Sequence, residues 1–346
     1  MNLMTKRKSN GMKSCSIFGI RLNFRKQLMT PSAYLSVIML FSLVTFVFYS
    51  CTKEEDPVLS TKDLMTFDLI EEINADSIRF LVTWMQDMGT RLALAENRRE
   101  VARDIRNRFR MIGYDNAELD SFLITKTYNN VRYQLMQYNV IASLPGTDYP
   151  DSVTIIGGHY DNILNSGDPF ATVPGANDNA SGVAAALEMA RVFKNYNYLP
   201  TGTIRFIAFG SEELGLFGSY DYSGKARSAS ENIKMMLNND MIAYQPGTDI
   251  SSWTVNIMDY ENSGTLRSKA EKLCLEFTAL KFVTDNKNNR YSDSYPFSLN
   301  GFKSLFFFSN IIDPNYHTLN DLAGNCNFEY CREIVKLNCA IAVHCN

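Results

Sequence analysis

Phe206-Ile-Ala-Phe-Gly-Ser-Glu212-Glu213-Leu-Gly-Leu-Phe-Gly218 is the stretch on which the reading of this chain turns. The run Thr203 to Phe209, apart from Arg205, is apolar, β-branched and aromatic, which predicts an interior strand of a parallel sheet. Gly210-Ser211 breaks the run, and two adjacent carboxylates follow at once. In open α/β sheets, ligands sit in the crevice beyond the carboxyl ends of the strands. Two neighbouring acids placed there repel each other unless a cation is shared between them. A metal ion meets that need: one carboxylate binds it and the other stays free as a general base. The plainer alternative is a pair of solvated acids opening a helix, where negative charge suits the helix dipole.

The rest of the chain decides between these readings. Val153-Thr-Ile-Ile-Gly-Gly-His159-Tyr-Asp161 is a second apolar run, and it ends at one of only three histidines in the chain. Strand spacing puts Asp161 on the same side as His159, where a carboxylate can fix the imidazole tautomer. Pro174-Gly-Ala-Asn-Asp178-Asn-Ala-Ser-Gly182 is a small-residue loop feeding an alanine-rich helix, so Asp178 can return to the same crevice. Ile233 to Asp240 is a further apolar run ending in an acid, and the strand Ser304 to Ser309 leads into a loop bearing His317. Five strand ends thus deliver Asp, Glu or His, a coincidence that core packing does not require. Two zinc ions would carry +4 against −3 from Asp178, Glu213 and Asp240, and the His-plus-carboxylate donor set suits zinc.

These residues resemble the M28 family of co-catalytic zinc aminopeptidases. The matching pieces are Gly158-His159-Tyr160-Asp161, Gly175 to Gly182, Phe209 to Ser219, Asn238-Asn-Asp240-Met241 and Tyr316-His317-Thr318 with Asp321, in the family's order. The resemblance implies that Asp178 bridges two Zn2+ ions, that His159 and Asp240 complete one site, and that Glu213 and His317 complete the other. It implies Glu212 as general base, Asp161 as the group orienting His159, and a cis peptide between Asp178 and Asn179. One departure stands out: Ser294 occupies a position in Tyr291-Ser-Asp293-Ser-Tyr-Pro-Phe297 where the family commonly has His. The implied fold is α/β, a mixed, mostly parallel central sheet flanked by helices on both faces, zinc exopeptidase-like, in a single catalytic domain over 66–346. The implied activity is removal of N-terminal residues from peptide substrates. The alternatives are a glutaminyl cyclase on the same fold, or a non-catalytic binding shell.

The 346 residues, 45% hydrophobic, readily supply one large core, and a net charge of −3 speaks against nucleic acid as a partner. The first fifty residues contain seven Lys/Arg, all by Lys26, and no acid. Tyr34 to Ser50 is then an apolar run of ~17 residues, short for a membrane span, ending beside Cys51. This pattern resembles a bacterial lipoprotein signal, with Cys51 as the lipidated residue, residues 1–50 as the export segment and 51–65 as a flexible tether. It places the protein in the cell envelope, attached to the outer membrane through a lipid anchor. Cys274 reads as core, Asn97 to Gly113 as an amphipathic helix, and residues 121–128 and 133–143 as strands. Cys326, Cys331, Cys339 and Cys345 cluster near the C-terminus, where an exported protein can form disulfides, and His344 reads as a surface residue.

Overall fold

The computed structural model describes residues 59–346, which form one unit. Helices α1 (Thr61–Glu71), α2 (Ala75–Gln86) and α3 (Arg98–Ile112) lead into strands β1 (Glu118–Tyr128), β2 (Val131–Leu144) and β3 (Tyr149–His159). Then come α4 (Ser181–Asn195), β4 (Gly202–Phe209), α5 (Phe217–Ser228), β5 (Asn232–Asn239) and β6 (Thr254–Met258). The chain closes with α6 (Gly264–Phe277), β7 (Lys281–Val283), α7 (Ser294–Leu299), β8 (Ser304–Ser309) and α8 (Phe328–Cys345). The strands make one sheet in the order β1-β2-β4-β3-β5-β8-β6-β7. The central strands β4, β3, β5 and β8 run parallel, while β2 on β4 and β6 on β8 are antiparallel. This is the mixed, mostly parallel α/β sheet expected.

Burial on both faces explains the long apolar runs. Ile204, Phe206 and Ala208 of β4 point into the core shared with α1 to α4, α6 and α8, whereas Ile207 and Phe209 point to the opposite face, against Tyr222 of α5 and Phe297 of α7. Helix α3 carries its stripe Val101, Ala102, Ile105 and Phe109 inward, and Gly113 ends it at φ 108°. At Gly182 the packing is tight enough to require glycine, because a Cβ there would lie 2.1 Å from the Asn239 carbonyl oxygen. The first turn of α4 therefore rests directly on the end of β5.

Three expectations are corrected. All five described cysteines are free thiols, so the disulfides expected near the C-terminus are not formed. Cys331, Cys339 and Cys345 lie on α8 at spacings whose rise is about 12 and 9 Å. A disulfide needs Cα atoms about 4.4–6.8 Å apart. His344 is half-buried, with Nε2 3.0 Å from Thr66 Oγ1 and its ring against Phe277. The expected tether over 51–65 overlaps α1, which begins at Thr61 behind a reciprocal cap between Ser60 and Asp63. The export segment 1–50 and Cys51 lie outside the described residues.

Candidate metal centre

The predicted ligands sit at the ends of central strands or in the loops beyond them. His159 is the last residue of β3, and Asp240 follows β5 directly. Glu212 and Glu213 lie in the turn after β4, and Asp178 lies in the tight turn Ala176–Ala180 ahead of α4. His317 comes from the loop between β8 and α8. The fold gathers all of them. Asp178 directs one oxygen to each histidine: Oδ1 lies 3.3 Å from His159 Nε2, and Oδ2 lies 3.0 Å from His317 Nε2. Asp240 Oδ1 is 3.5 Å from His159 Nε2, and both Glu213 oxygens are 3.1 Å from His317 Nε2. Glu212 Oε2 approaches His159 Nε2 to only 3.9 Å. The Asp178–Asn179 peptide is cis.

Behind these side chains is a set of backbone clamps. Asp161 is fully buried, and its carboxylate accepts the N–H groups of Glu212 (3.0 Å) and Glu213 (3.2 Å). The expected role of Asp161 is thereby corrected. Its carboxylate is 3.9 Å from His159 Nδ1, while its main-chain carbonyl is at 3.1 Å and sets the ring. The carboxylate instead holds the two-glutamate turn in place. Asp321 does the same for Asp178, accepting the N–H groups of Asn177 (2.7 Å) and Asp178 (2.9 Å). Ser292 Oγ donates to Asp240 Oδ2 at 2.6 Å. Ser211, Met241 and His317 have φ of 65°, 53° and 56°, left-handed conformations uncommon for non-glycine residues, and all three lie at or beside a predicted ligand or base.

The electrostatics call for positive charge. Burial, reinforced by Asp178, pushes the Glu213 carboxyl up to about 7. Burial also raises Glu212 well above the usual carboxylate range, with His159 opposing and Glu213 and Asp240 adding to the shift. Burial would lower His317, but hydrogen bonds to Asp178 and Glu213 carry it to about 10. Burial would likewise raise Asp178, yet its hydrogen bonds with both histidines hold it below its ordinary value. Oxygen and nitrogen donors in two overlapping triplets, His159/Asp178/Glu213 and His159/Glu212/Asp240, form a set that fits zinc.

A pH dependence follows for the metal-stripped protein. Glu213 and His317 both have raised folded values, so their contributions are complete below their unfolded pKa values and are lost as pH rises through about 7 and about 10. Asp178 acts in the opposite sense and is lost only in acid. The Tm of the chelated protein should therefore fall between about pH 5 and pH 10, and zinc should restore most at the alkaline end. Calorimetry across that range checks this; a chelated Tm that rises with pH would show the acids to be uncrowded.

A sequence model of peptidase family M28 matches residues 139–342, more than half of the chain. The chain belongs to peptidase family M28. Among curated relatives, a probable zinc metalloprotease of Pyricularia oryzae is 44% identical over 111 residues, 32% of this chain and 22% of that protein. Leucine aminopeptidase 1 of Trichophyton equinum is 27% identical over 217 residues, 60% of this chain and 58% of that protein. The chain thus spans less than two thirds of the length of these relatives. Among solved structures, LapB from Legionella pneumophila superposes with a TM-score of 0.69 at 24% identity, over 82% of this chain and 75% of that one, which establishes a shared fold.

Sequence reasoning missed one important residue of this M28 centre. Arg91 is 1% exposed, and among the described residues no carboxylate pairs with it. Its guanidinium donates to the carbonyls of Tyr160 (2.8 Å), Met85 (3.0 Å), Pro174 (2.9 Å) and Gly175 (2.7 Å). It thereby ties the segment after β3 to the loop before Asp178. Burial lowers its pKa to about 10, opposed by Asp321, Asp178, Asp161 and Glu213, so it stays cationic at neutral pH. The available signal was a lone charge ahead of the apolar run Leu92-Ala-Leu-Ala95. Ser294, the family departure, is buried and hydrogen-bonds Tyr260 at 2.8 Å. Asp161→Asn should weaken zinc binding by about 10–100-fold, because an amide cannot accept both N–H groups of the glutamate turn. Competition with a zinc indicator measures it, and an unchanged affinity would mean the turn holds itself.

Proposed function

We propose that this chain is a zinc aminopeptidase. The observation that supports it is the division of the Asp178 carboxylate between two histidines, with Glu212 beside the pair. Asp178, His159 and Asp240 would hold one ion, and Asp178, Glu213 and His317 the other. Bound there, zinc supplies Lewis-acid polarisation of the scissile carbonyl and of the attacking water. The Glu212 carboxylate takes the proton from that water and hands it to the departing amine nitrogen. Asp161 keeps Glu212 and Glu213 in separate roles by pinning both backbone N–H groups. The adjoining cavity of about 300 Å³ is walled by Met241, Met258, Phe306, Phe308, Ile312 and Tyr316. Such walls favour an apolar N-terminal side chain, since each buried CH₂ contributes about 0.8 kcal/mol.

A panel of aminoacyl-anilides, with a glutaminyl peptide included, tests this reading. Leucyl and methionyl substrates should exceed glycyl and aspartyl ones by about 10–100-fold in kcat/KM. Cyclisation of the glutaminyl peptide without anilide hydrolysis would replace the peptidase with a cyclase. We also propose that the protein is exported and lipid-anchored through Cys51, a reading supported by the basic segment before Lys26 and the apolar run Tyr34 to Ser50. Among the described residues, no helix is long and apolar enough to cross a membrane.

A further inference from the structure

Helix α3 carries a row of charge that the metal centre does not use. Arg99, Arg103, Arg106 and Arg110 recur at spacings of four, three and four, so they share an arc of about 60° on the helix surface. Glu100 and Asp104 fall outside that arc. Among the described residues, the arginines in ion pairs are Arg79, Arg191, Arg205, Arg267 and Arg332, none of them on α3. The row is crowded with like charge: partial desolvation, then Arg110 and Arg103, lower the Arg106 guanidinium below its ordinary value.

This row overlooks the edge of the sheet. Arg99 lies over the Tyr138 ring of β2 at 5.9 Å, and Arg110 donates to the carbonyl of Ala117 (2.9 Å), the residue before β1. Tyr138 is paired with Ser121, so the row runs beside the first four residues of β1. Among the described residues, β1 pairs with β2 alone. Sheets ordinarily protect such an edge with bulges, prolines or outward lysines. Here β1 runs through eleven unbroken pairs without proline, and its one lysine, Lys126, is turned onto the Leu214 carbonyl at 2.7 Å. Leu119, Ser121 and Leu123 alternate onto the α3 face, while Glu118 and Asp120 fall on the other. Leu123 is 58% exposed and stands opposite Met136.

We propose that β1 is a docking edge for an acidic, extended polypeptide segment, which adds as a further strand with its carboxylates against the α3 arginines. The match is one of spacing. Alternate side chains of a strand stand about 6.8 Å apart, so three acids at i, i+2 and i+4 cover about 14 Å, against about 16 Å from Arg99 to Arg110. Guanidinium groups bind carboxylates through paired hydrogen bonds, and main-chain bonds along β1 supply the rest. The next side chain on that face meets Leu123 and Met136 and is apolar. A lipid or polysaccharide surface would answer the charge but not the open strand edge. The surface holds no candidate metal ligand, so it stands apart from the peptidase reading.

The test uses the full-length, zinc-loaded protein and a dye-labelled peptide, acetyl-Val-Thr-Glu-Thr-Glu-Thr-Glu-Thr-Val. Valine at both ends serves either strand direction, and the acetyl group keeps an aminopeptidase from consuming the probe. Fluorescence anisotropy should show saturable binding that weakens with salt. Affinity should fall by about 10–100-fold when Arg99, Arg103, Arg106 and Arg110 are all changed to Gln. Two further probes carry N-methyl groups on one or the other alternate set of backbone nitrogens, with the charge unchanged. One set should abolish binding and the other spare it, because strand addition uses one edge of the peptide. Equal effects of the two sets would reduce the surface to a patch of positive charge and overturn the proposal. So would no binding, or an affinity unchanged in the Gln variant. Tighter binding to phosphatidylglycerol vesicles than to the peptide, or a dimer in sedimentation that the Gln variant abolishes, would make the occupant a membrane or a second copy and overturn it too. The Gln variant should keep the wild-type Tm and anilide hydrolysis; if it unfolds, the paired N-methyl probes on the wild-type protein still decide.

Discussion

Replacing Glu212 by Gln is expected to lower kcat by about 10²–10⁴-fold while the bound zinc content stays unchanged. The side chain keeps its volume and loses only the ability to accept and return a proton. Its neighbour makes the contrast: Glu213 contacts His317 through both oxygens at 3.1 Å, so Glu213→Gln should release metal as well as activity. Elemental analysis and steady-state kinetics on the two variants settle the assignment together. If Glu212→Gln loses metal while Glu213→Gln keeps it, base and ligand are exchanged, and the triplet His159/Glu212/Asp240 would be the true binding set.

Arg91→Met should destabilise the domain strongly. Methionine fills much of the space but offers no donors, leaving the buried carbonyls of Tyr160 and Pro174 unpaired, while those of Met85 and Gly175 keep the main-chain N–H groups of Met88 and Ala180. Each unsatisfied buried group costs about 1–3 kcal/mol, so with two such groups a loss on the order of 4 kcal/mol is expected. For a domain of this size that corresponds to a fall in Tm of roughly 10 °C. The arginine also lies behind four carboxylates, so zinc should rescue the variant less than it rescues the wild type. A Tm within about 2 °C of wild type would mean that the loops on either side of Arg91 hold their shape without it.

The strands and the residues gathered at the candidate site were legible in the sequence for one physical reason. A strand buried on both faces is apolar along most of its length, so Thr203 to Phe209, Arg205 excepted, and Leu305 to Phe308 announce themselves, and the turns beyond them carry the candidate residues. The clamps were not legible in the same way. Asp161 was correctly singled out but given the wrong partner, because strand alternation says which side a carboxylate faces and nothing about backbone N–H groups arriving from another loop. Arg91 bonds only to main-chain carbonyls, which carry no side-chain signature. The cysteines misled for a related reason. Closeness in sequence suggested pairing, while the helical rise of α8 holds Cys331, Cys339 and Cys345 apart.

The scattering of the ligands along the chain has a consequence for assembly. His159 and His317 are separated by most of the catalytic sequence, and the brace on Asp178 comes from Asp321, beyond the last strand. Contacts of such long sequence separation form late, because loop closure must precede them. A growing chain that stops short of residue 317 lacks one histidine altogether, and one that stops short of 321 has no brace for Asp178. If the proposed ligand set holds, zinc uptake would report completion of the fold, because the site lacks His317 and the brace on Asp178 until the C-terminal portion has packed in place.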